Sequence, residues 1–272
     1  MSGFVSLLFA PASRPDRFAK ALAAGAQAVI FDLEDSVPEA GKAGARAALA
    51  QFLGAGRSGG PGRVVRINRL ERAEGRADLQ ALCGLDVDAV MLPKVEAAEP
   101  LAEAARALEQ AGSRASLIAL VESARGVGRV ESIAGQAPAR LSALMFGAAD
   151  YAADLGLQAG GRRADFARDR IVNAAAMAGV AAIDSPFFDI ADPAGLEADC
   201  AMARAMGFAG KAAIHPSQVG PIEQAFALIE AERTLAARIL AAGGDGAAAV
   251  LDGKMIDEAV VRWARRAAGG AR

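Results

Sequence analysis

Polar groups able to do chemistry recur at the ends of short apolar runs along the whole chain. Asp32-Leu33-Glu34-Asp35 closes the AVIF run, Arg66 and Asn68 lie in and just after VVRI, and Pro93-Lys94 follows AVML. Glu122-Ser123 follows SLIALV, Gly147-Ala148-Ala149-Asp150 follows ALMF, Asp184-Ser185-Pro186 follows AAI, and His215-Pro216-Ser217-Gln218 follows AAI. Arg66 and Glu122 carry the most information. Each charge leaves an otherwise buried segment, where it is retained only beside an opposite charge or hydrogen-bond donors. The others have a plainer reading. Asp and Ser after a strand turn the chain and cap the next helix, so Asp32, Asp35, Asp184 and Ser185 each read first as caps. His215, between Ile214 and Pro216, reads as a hydrogen-bonded structural residue, and Lys94 reads equally as a solvated strand-end lysine or as a ligand.

The residue types restrict the chemistry. One histidine and two cysteines leave no multi-histidine zinc site and at most one imidazole base. Any metal must be held by oxygen, and a pair of carboxylates suits a hard cation such as Mg²⁺, which keeps other positions for water and substrate. By position, Glu122 and Asp150 are that pair. In Phe146-Gly147-Ala148-Ala149-Asp150 the small side chains of Gly147, Ala148 and Ala149 allow backbone N–H groups to approach a carboxylate as a nest.

The elements that must position these groups follow from hydrophobic patterning. Short apolar runs alternate with Ala/Leu/Arg-rich stretches at helical spacing, the mark of parallel βα units. Strands are expected at Val5–Phe9, Ala28–Asp32, Arg63–Ile67, Ala89–Leu92, Ser116–Val121, Ala143–Phe146, Ala181–Ile183 and Ala212–Ile214. Helices are expected near Arg14–Ala24, Pro38–Leu53, Arg76–Cys83, Ala97–Ala111, Ala124–Ala134, Arg162–Ala178, Pro193–Met206 and Gln218–Ala241. Eight such units predict an α/β fold, a (β/α)₈ TIM barrel with a C-terminal helical tail or lid, whose active site lies where the strands end. An open doubly wound sheet is the alternative, but FAPASRPDR after the first strand lacks the glycine fingerprint. Residues 1–242 are read as the barrel and 243–272 as a lid or intersubunit tail, with a loop at Gly243–Gly246 and an amphipathic helix at Asp257–Ala267.

Bulk properties exclude several classes. Thirty basic against 32 acidic residues, with no basic stripe, argue against nucleic acid. The longest apolar run, Ala174 to Ile183, is far short of the ~20 residues that span a bilayer. The N-terminal apolar patch has no basic residues before it and reads as the first strand. Cys83 and Cys200 are too few for a disulfide framework, so a cytoplasmic location is expected.

The blocks SLLFAPASRPDRFAKALAAGAQAVIFDLEDSVPEAGKAGAR, VRIN, LPKVE, ALVESARGV, LMFGAADYAADLG and GFAGKAAIHPSQV, in this order, resemble the citrate lyase β-subunit-like family of the HpcH/HpaI aldolases, with a weaker echo at LDGKMID. That resemblance implies a Mg²⁺-dependent carbon–carbon lyase acting on short 3-hydroxyacyl-CoA thioesters such as citryl-, malyl- or citramalyl-CoA, with CoA entering as part of the substrate and a keto acid and an acyl-CoA as products. It implies Glu122 and Asp150 as metal ligands and Arg66 as the contact to the substrate oxygen. Glu34 would support the metal through water or hold Arg66, and Asp257 would be the acid that the tail gives to a neighbouring subunit of a homotrimer. After Asp257 the motif departs from many relatives, which continue with proline; this chain has Glu258-Ala259. Lys94, Lys211, Arg14 and Arg17 are candidates to meet CoA phosphates. Two other readings stay open: a citrate lyase β subunit working on an acyl-carrier-protein thioester, and a malyl-CoA thioesterase or malate synthase-like variant. Aldolase chemistry of the HpaI branch is disfavoured, because no histidine follows the second strand.

Overall fold

The structure, a computed structural model, describes residues 4–57, 59–158, 164–228, 230–243 and 249–269. Its strands are β1 (Ser6–Pro11), β2 (Ala28–Asp32), β3 (Gly62–Arg66), β4 (Ala89–Leu92), β5 (Ser116–Val121), β6 (Leu141–Phe146), β7 (Ala181–Asp184) and β8 (Gly210–Ala213). They pair in parallel in chain order, and β8 closes on β1, completing the expected barrel. The helices are α1 (Phe18–Leu22), α2 (Lys42–Gly54), α3 (Ala73–Leu82), α4 (Glu99–Gln110), α5 (Ala124–Gly135), α6 (Ala148–Asp154), α7 (Asp165–Ala178), α8 (Pro193–Met206) and α9 (Val219–Phe226).

Strand register sorts the side chains into two layers, because successive residues face opposite sides of a strand. Leu7, Ala28, Ile30, Val64, Ala89, Met91, Ile118, Leu120, Ala143, Met145, Ile183 and Ala212 fill the barrel interior. Their neighbours Leu8, Val29, Phe31, Val65, Val90, Leu117, Ala119, Leu144 and Ala213 pack outward with the helices. Each strand is therefore apolar on both faces, and the expected runs are continuous rather than alternating.

Several boundaries differ from the expected ones. The Arg14–Ala24 stretch is a 3₁₀ turn, Pro15–Arg17, followed by the five-residue α1. The single helix expected over Gln218–Ala241 is two, α9 and α10 (Glu230–Gly243). The compact units divide between Phe226 and Ala227, so α10, within the 1–242 span, packs with the C-terminal unit. That unit also contains β9 (Ala249–Leu251), β10 (Lys254–Ile256) and α11 (Glu258–Gly269). Ala236, Ile239, Ile256, Val261 and Ala264 form its core. The hairpin was not expected, although its signal was present. Asp252-Gly253 is a two-residue turn with φ of 51° and 76°, the left-handed pair favoured by Asp-Gly between paired strands. Residues 244–246 of the expected Gly243–Gly246 loop, and Arg162–Arg163 of an expected helix start, lie outside the described residues.

Candidate functional site

The barrel register carries four polar or small residues to one place. Asp32, Arg66, Glu122 and Gly147 each lie two positions beyond an interior residue, namely Ile30, Val64, Leu120 and Met145. They therefore continue the inward face at the C-terminal rim.

Arg66 is clamped. Its Nε and Nη2 donate to the two oxygens of Asp32 at 2.7 and 2.8 Å, and the guanidinium lies 5.2 Å from the centre of the Phe9 ring. Burial alone would lower the Arg66 pKa, but Asp32, Glu34 and Glu122 hold it above the ordinary arginine value. Burial likewise pushes Asp32 upward, and the hydrogen bonds and charge of Arg66 more than reverse this. Asp32 turns the chain as expected but caps no helix. The same carboxylate accepts from the N–H groups of Glu34 at 2.9 Å and Ser36 at 3.1 Å, and so fixes both the turn and the arginine. The signal for that second role was the pairing of two buried opposite charges on adjacent strands.

With Nε and Nη2 occupied, Nη1 faces the site. It lies 3.0 Å from Glu34 Oε2 and donates to Asp35 at 3.4 Å. Glu34 Oε2 is buried, and its alignment with Nη1 does not make a hydrogen bond. Burial raises the Glu34 pKa despite the charge of Arg66. Lys94 Nζ sits among the acids, 3.3 Å from Glu34 Oε1, 3.5 Å from Asp150 Oδ1 and 3.8 Å from Asp35 Oδ1. Burial lowers the Lys94 pKa, but these carboxylates and Glu122 hold it above the usual value. Lys94 is thus an ion-paired member of the site and not a solvated strand end.

Glu122 is only 2% exposed. Its Oε1 accepts from the Lys94 N–H at 2.8 Å. Burial, then the neighbouring charges of Glu34 and Asp150, push its carboxyl up to about 8. Gly147 is needed for space, because a Cβ there would lie 2.5 Å from Glu122 Cβ and 2.6 Å from Oε2. The Gly147 N–H is spent on the Val121 carbonyl at 3.1 Å, whereas Ala148 and Ala149 open α6, whose first turn holds Asp150. Five carboxylates, on Asp32, Glu34, Asp35, Glu122 and Asp150, thus surround two cations, Arg66 and Lys94.

This donor set fits a hard divalent cation. It is all oxygen, it carries excess negative charge, and it contains a buried oxygen without a hydrogen bond. Among the described residues no group of three His, Cys, Asp or Glu side chains forms a ready-made metal cage. Two protein carboxylates with water and substrate filling the other positions is the ordinary arrangement for Mg²⁺.

Other candidates lie elsewhere. Lys211, a candidate for CoA phosphates, is fully buried between strand and helix layers, 2.6 Å from Asp184 and 2.5 Å from Asp199. The reason is register: Ala212 faces the interior, so Lys211 faces out. Arg168 completes this group at 2.9 Å from Asp184, which is therefore a buried ion-pair partner and not a helix cap. Arg14 is exposed and paired with Asp16 at 2.7 Å, and Arg17 is exposed. His215 has the structural part expected of it: its Nδ1 accepts from the Ser217 N–H at 3.2 Å, while Gln218 Oε1 accepts from the Ile214 N–H at 2.9 Å. Cys200 is buried on α8 and Cys83 half-buried after α3, both as free thiols. Asp257 belongs to the C-terminal unit, where its Oδ1 caps α11 by accepting from Ala259 and Val260 at 3.0 and 3.1 Å. A cavity of about 1070 Å³ borders the rim at Ala148, walled by Tyr151, Phe166, Phe187 and Phe188, and includes none of Arg66, Lys94 or Glu122.

Fold and site together define a class, a (β/α)₈ barrel whose C-terminal rim presents an arginine and an excess of carboxylates. The profile of the HpcH/HpaI aldolase/citrate lyase family matches residues 5–216, and the chain belongs to this family. It is 40% identical, over 94% of its length and 92% of the relative's, to a citrate lyase subunit beta-like protein of Mycobacterium tuberculosis. It is 35% identical to an L-malyl-CoA/beta-methylmalyl-CoA lyase of Cereibacter sphaeroides, over 94% of this chain and 91% of that one. Among solved structures, CitE from Mycobacterium tuberculosis in complex with magnesium, acetoacetate and coenzyme A superposes with a TM-score of 0.80 at 37% identity, covering 100% of this chain and 99% of that chain.

Proposed function

We propose that the protein is a Mg²⁺-dependent carbon–carbon lyase that cleaves, or in reverse forms, a short 3-hydroxyacyl-CoA thioester of the malyl-, citramalyl- or citryl-CoA type. The observation that carries this reading is the rim itself, where buried Glu122 and half-exposed Asp150 stand beside an Arg66 immobilised by Asp32, whose Nη1 faces the site beside Glu34 and Asp35.

Glu122 and Asp150 are the residues to hold the metal, whose chemistry is to polarise the hydroxyl-bearing carbon through its oxygens. Arg66 Nη1 donates to the substrate oxygen, and its charge, fixed by Asp32, requires no reorganisation as that oxygen becomes a carbonyl. Glu34 holds Nη1 from the side and sets its direction. Lys94 and the N–H groups of Ala148 and Ala149, with Gly147 supplying the space, bind the keto acid's carboxylate. As the hydroxyl gives its proton to water at the rim and its oxygen becomes a carbonyl, the bond between its carbon and the thioester α-carbon breaks. The electron pair passes to the thioester enolate, which takes a proton. Asp257 of the partner subunit supplies that proton in a homotrimer. The free thiols support a cytoplasmic location.

A second reading, hydrolysis of the thioester, is favoured by one relative. A (3S)-malyl-CoA thioesterase of Cereibacter sphaeroides is 34% identical over 97% of this chain. Purified protein with Mg²⁺ and a panel of such thioesters separates the two: keto acid with acyl-CoA marks the lyase, and free CoA with the intact hydroxy acid marks hydrolysis. No product of either kind would defeat both. Asp150→Asn should weaken Mg²⁺ binding and turnover together, and unaltered turnover would remove Asp150 from its role.

A further inference from the structure

We propose that Lys94 is a tethered competitor of the divalent cation: its ammonium lies between Glu34, Asp35 and Asp150, and metal binding at Glu122 and Asp150 draws Asp150 away from it. The proposal rests on the reading that Glu122 and Asp150 hold Mg²⁺.

Lys94 Nζ is centred between three carboxylates at 3.3 to 3.8 Å. It is not locked onto any one of them. Lys211, elsewhere in the same chain, shows what a locked lysine looks like, with two carboxylates at 2.6 and 2.5 Å and no exposure. Lys94 keeps 28% of its side chain exposed, on a flexible stem that can leave toward solvent. Arg66, held twice by Asp32, cannot leave. Of the two cations at the rim, one is built to stay and the other to move.

The backbone gives an independent observation. Lys94 has φ of 51°, a left-handed conformation that glycine adopts freely and a lysine adopts only at a cost. That conformation sends its N–H to Glu122 Oε1 at 2.8 Å and places its side chain over Glu34 and Asp150. A glycine would make the same N–H contact without strain. What a lysine adds is the ammonium, delivered to Asp150, which a metal would otherwise neutralise. Once Asp150 is drawn away, that ammonium stands beside the entering keto acid and is free to meet its carboxylate.

The test uses the full-length protein without substrate. Mg²⁺ uptake is titrated calorimetrically, and the unfolding midpoint is measured in EDTA and in saturating Mg²⁺, for wild type and Lys94→Met. Removing a competing positive charge should tighten Mg²⁺ binding about fivefold or more. The midpoint of Lys94→Met should fall below wild type in EDTA and match it in Mg²⁺. A lysine serving only as a structural ion pair would lower the midpoint equally in both. Lys94→Gly, which relieves the left-handed backbone, should show the same tightening and serves if the methionine variant folds poorly. Equal or weaker Mg²⁺ binding by both variants, or a midpoint deficit that persists in Mg²⁺, overturns the proposal. Wild-type protein that takes up no Mg²⁺ overturns the magnesium reading along with it.

Discussion

Two buried ionic clusters sit on opposite faces of the same barrel wall and differ in charge balance. Between strands and helices, Arg168 and Lys211 meet Asp184 and Asp199 at contacts of 2.5 to 3.4 Å, and the charge of Asp165 also acts on Arg168, so two cations face three carboxylates. At the inner rim, five carboxylates meet only Arg66 and Lys94. In the outer cluster Asp184 and Lys211 are fully buried, and Arg168 and Asp199 border the neighbouring cavity. The inner one carries unrelieved negative charge and a carboxyl, Glu122, pushed up to about 8. A folded protein retains such an imbalance where an external cation or substrate completes it. Tight ion pairing marks structure here, and the larger excess of carboxylates marks the candidate site.

This contrast can be broken at either cluster. The largest effect is expected in the outer one: Asp184→Ala leaves Lys211 and Arg168 without the fully buried carboxylate they share, which should cost about 3–5 kcal/mol. Chemical denaturation would measure it, with activity per folded molecule unchanged. A loss of activity without loss of stability would contradict the division between the clusters. At the inner rim, Asp32→Asn retains the turn's acceptor but loses the bidentate clamp on Arg66. Turnover should fall about 10- to 100-fold, with Mg²⁺ affinity nearly unchanged, as steady-state kinetics and metal titration would show.

The inner rim also sets the pH dependence of stability without metal. Glu122 ionises near 4.5 when unfolded and near 8 when folded, so the folded chain binds the extra proton between these values. The stability contributed by protonated Glu122 is complete below about pH 4.5 and is lost as pH rises through about 8. Melting curves in EDTA should decline across that window, and Glu122→Gln should flatten the decline. Mg²⁺ requires the ionised carboxylate, so its affinity should rise over the same window and level off above it.

Much of the site was legible because each strand ends with its chemistry. Arg66, Glu122 and Asp150 could be chosen from residue type and position after an apolar run. Which charges meet was not legible, because strand-end residues alternate sides and a shift of one position changes the layer. Asp184 looks in sequence like a rim residue and Lys211 like a candidate phosphate contact, yet Ile183 and Ala212 take the inward positions and turn both outward. Asp32 reads in sequence as a residue that turns the chain, and that is half of what it does. The C-terminal hairpin was missed because three-residue strands leave little periodicity, although Asp252-Gly253 marked the turn.

The sequence alone determined the eight-unit alternation, the scarcity of histidine and cysteine and hence an oxygen-held metal, and the set of polar strand ends from which any mechanism must draw. Those features depend on local hydrophobicity and residue chemistry, which persist whatever the chain packs against. Only the tertiary structure decided that Asp32 clamps Arg66 across adjacent strands, that Lys94 stands among three acids, and that Lys211 is sealed away. Such pairings depend on register and closure of the barrel, which bring together residues 34 positions apart, as in Arg66 and Asp32, and whose energetics exist only after water is removed.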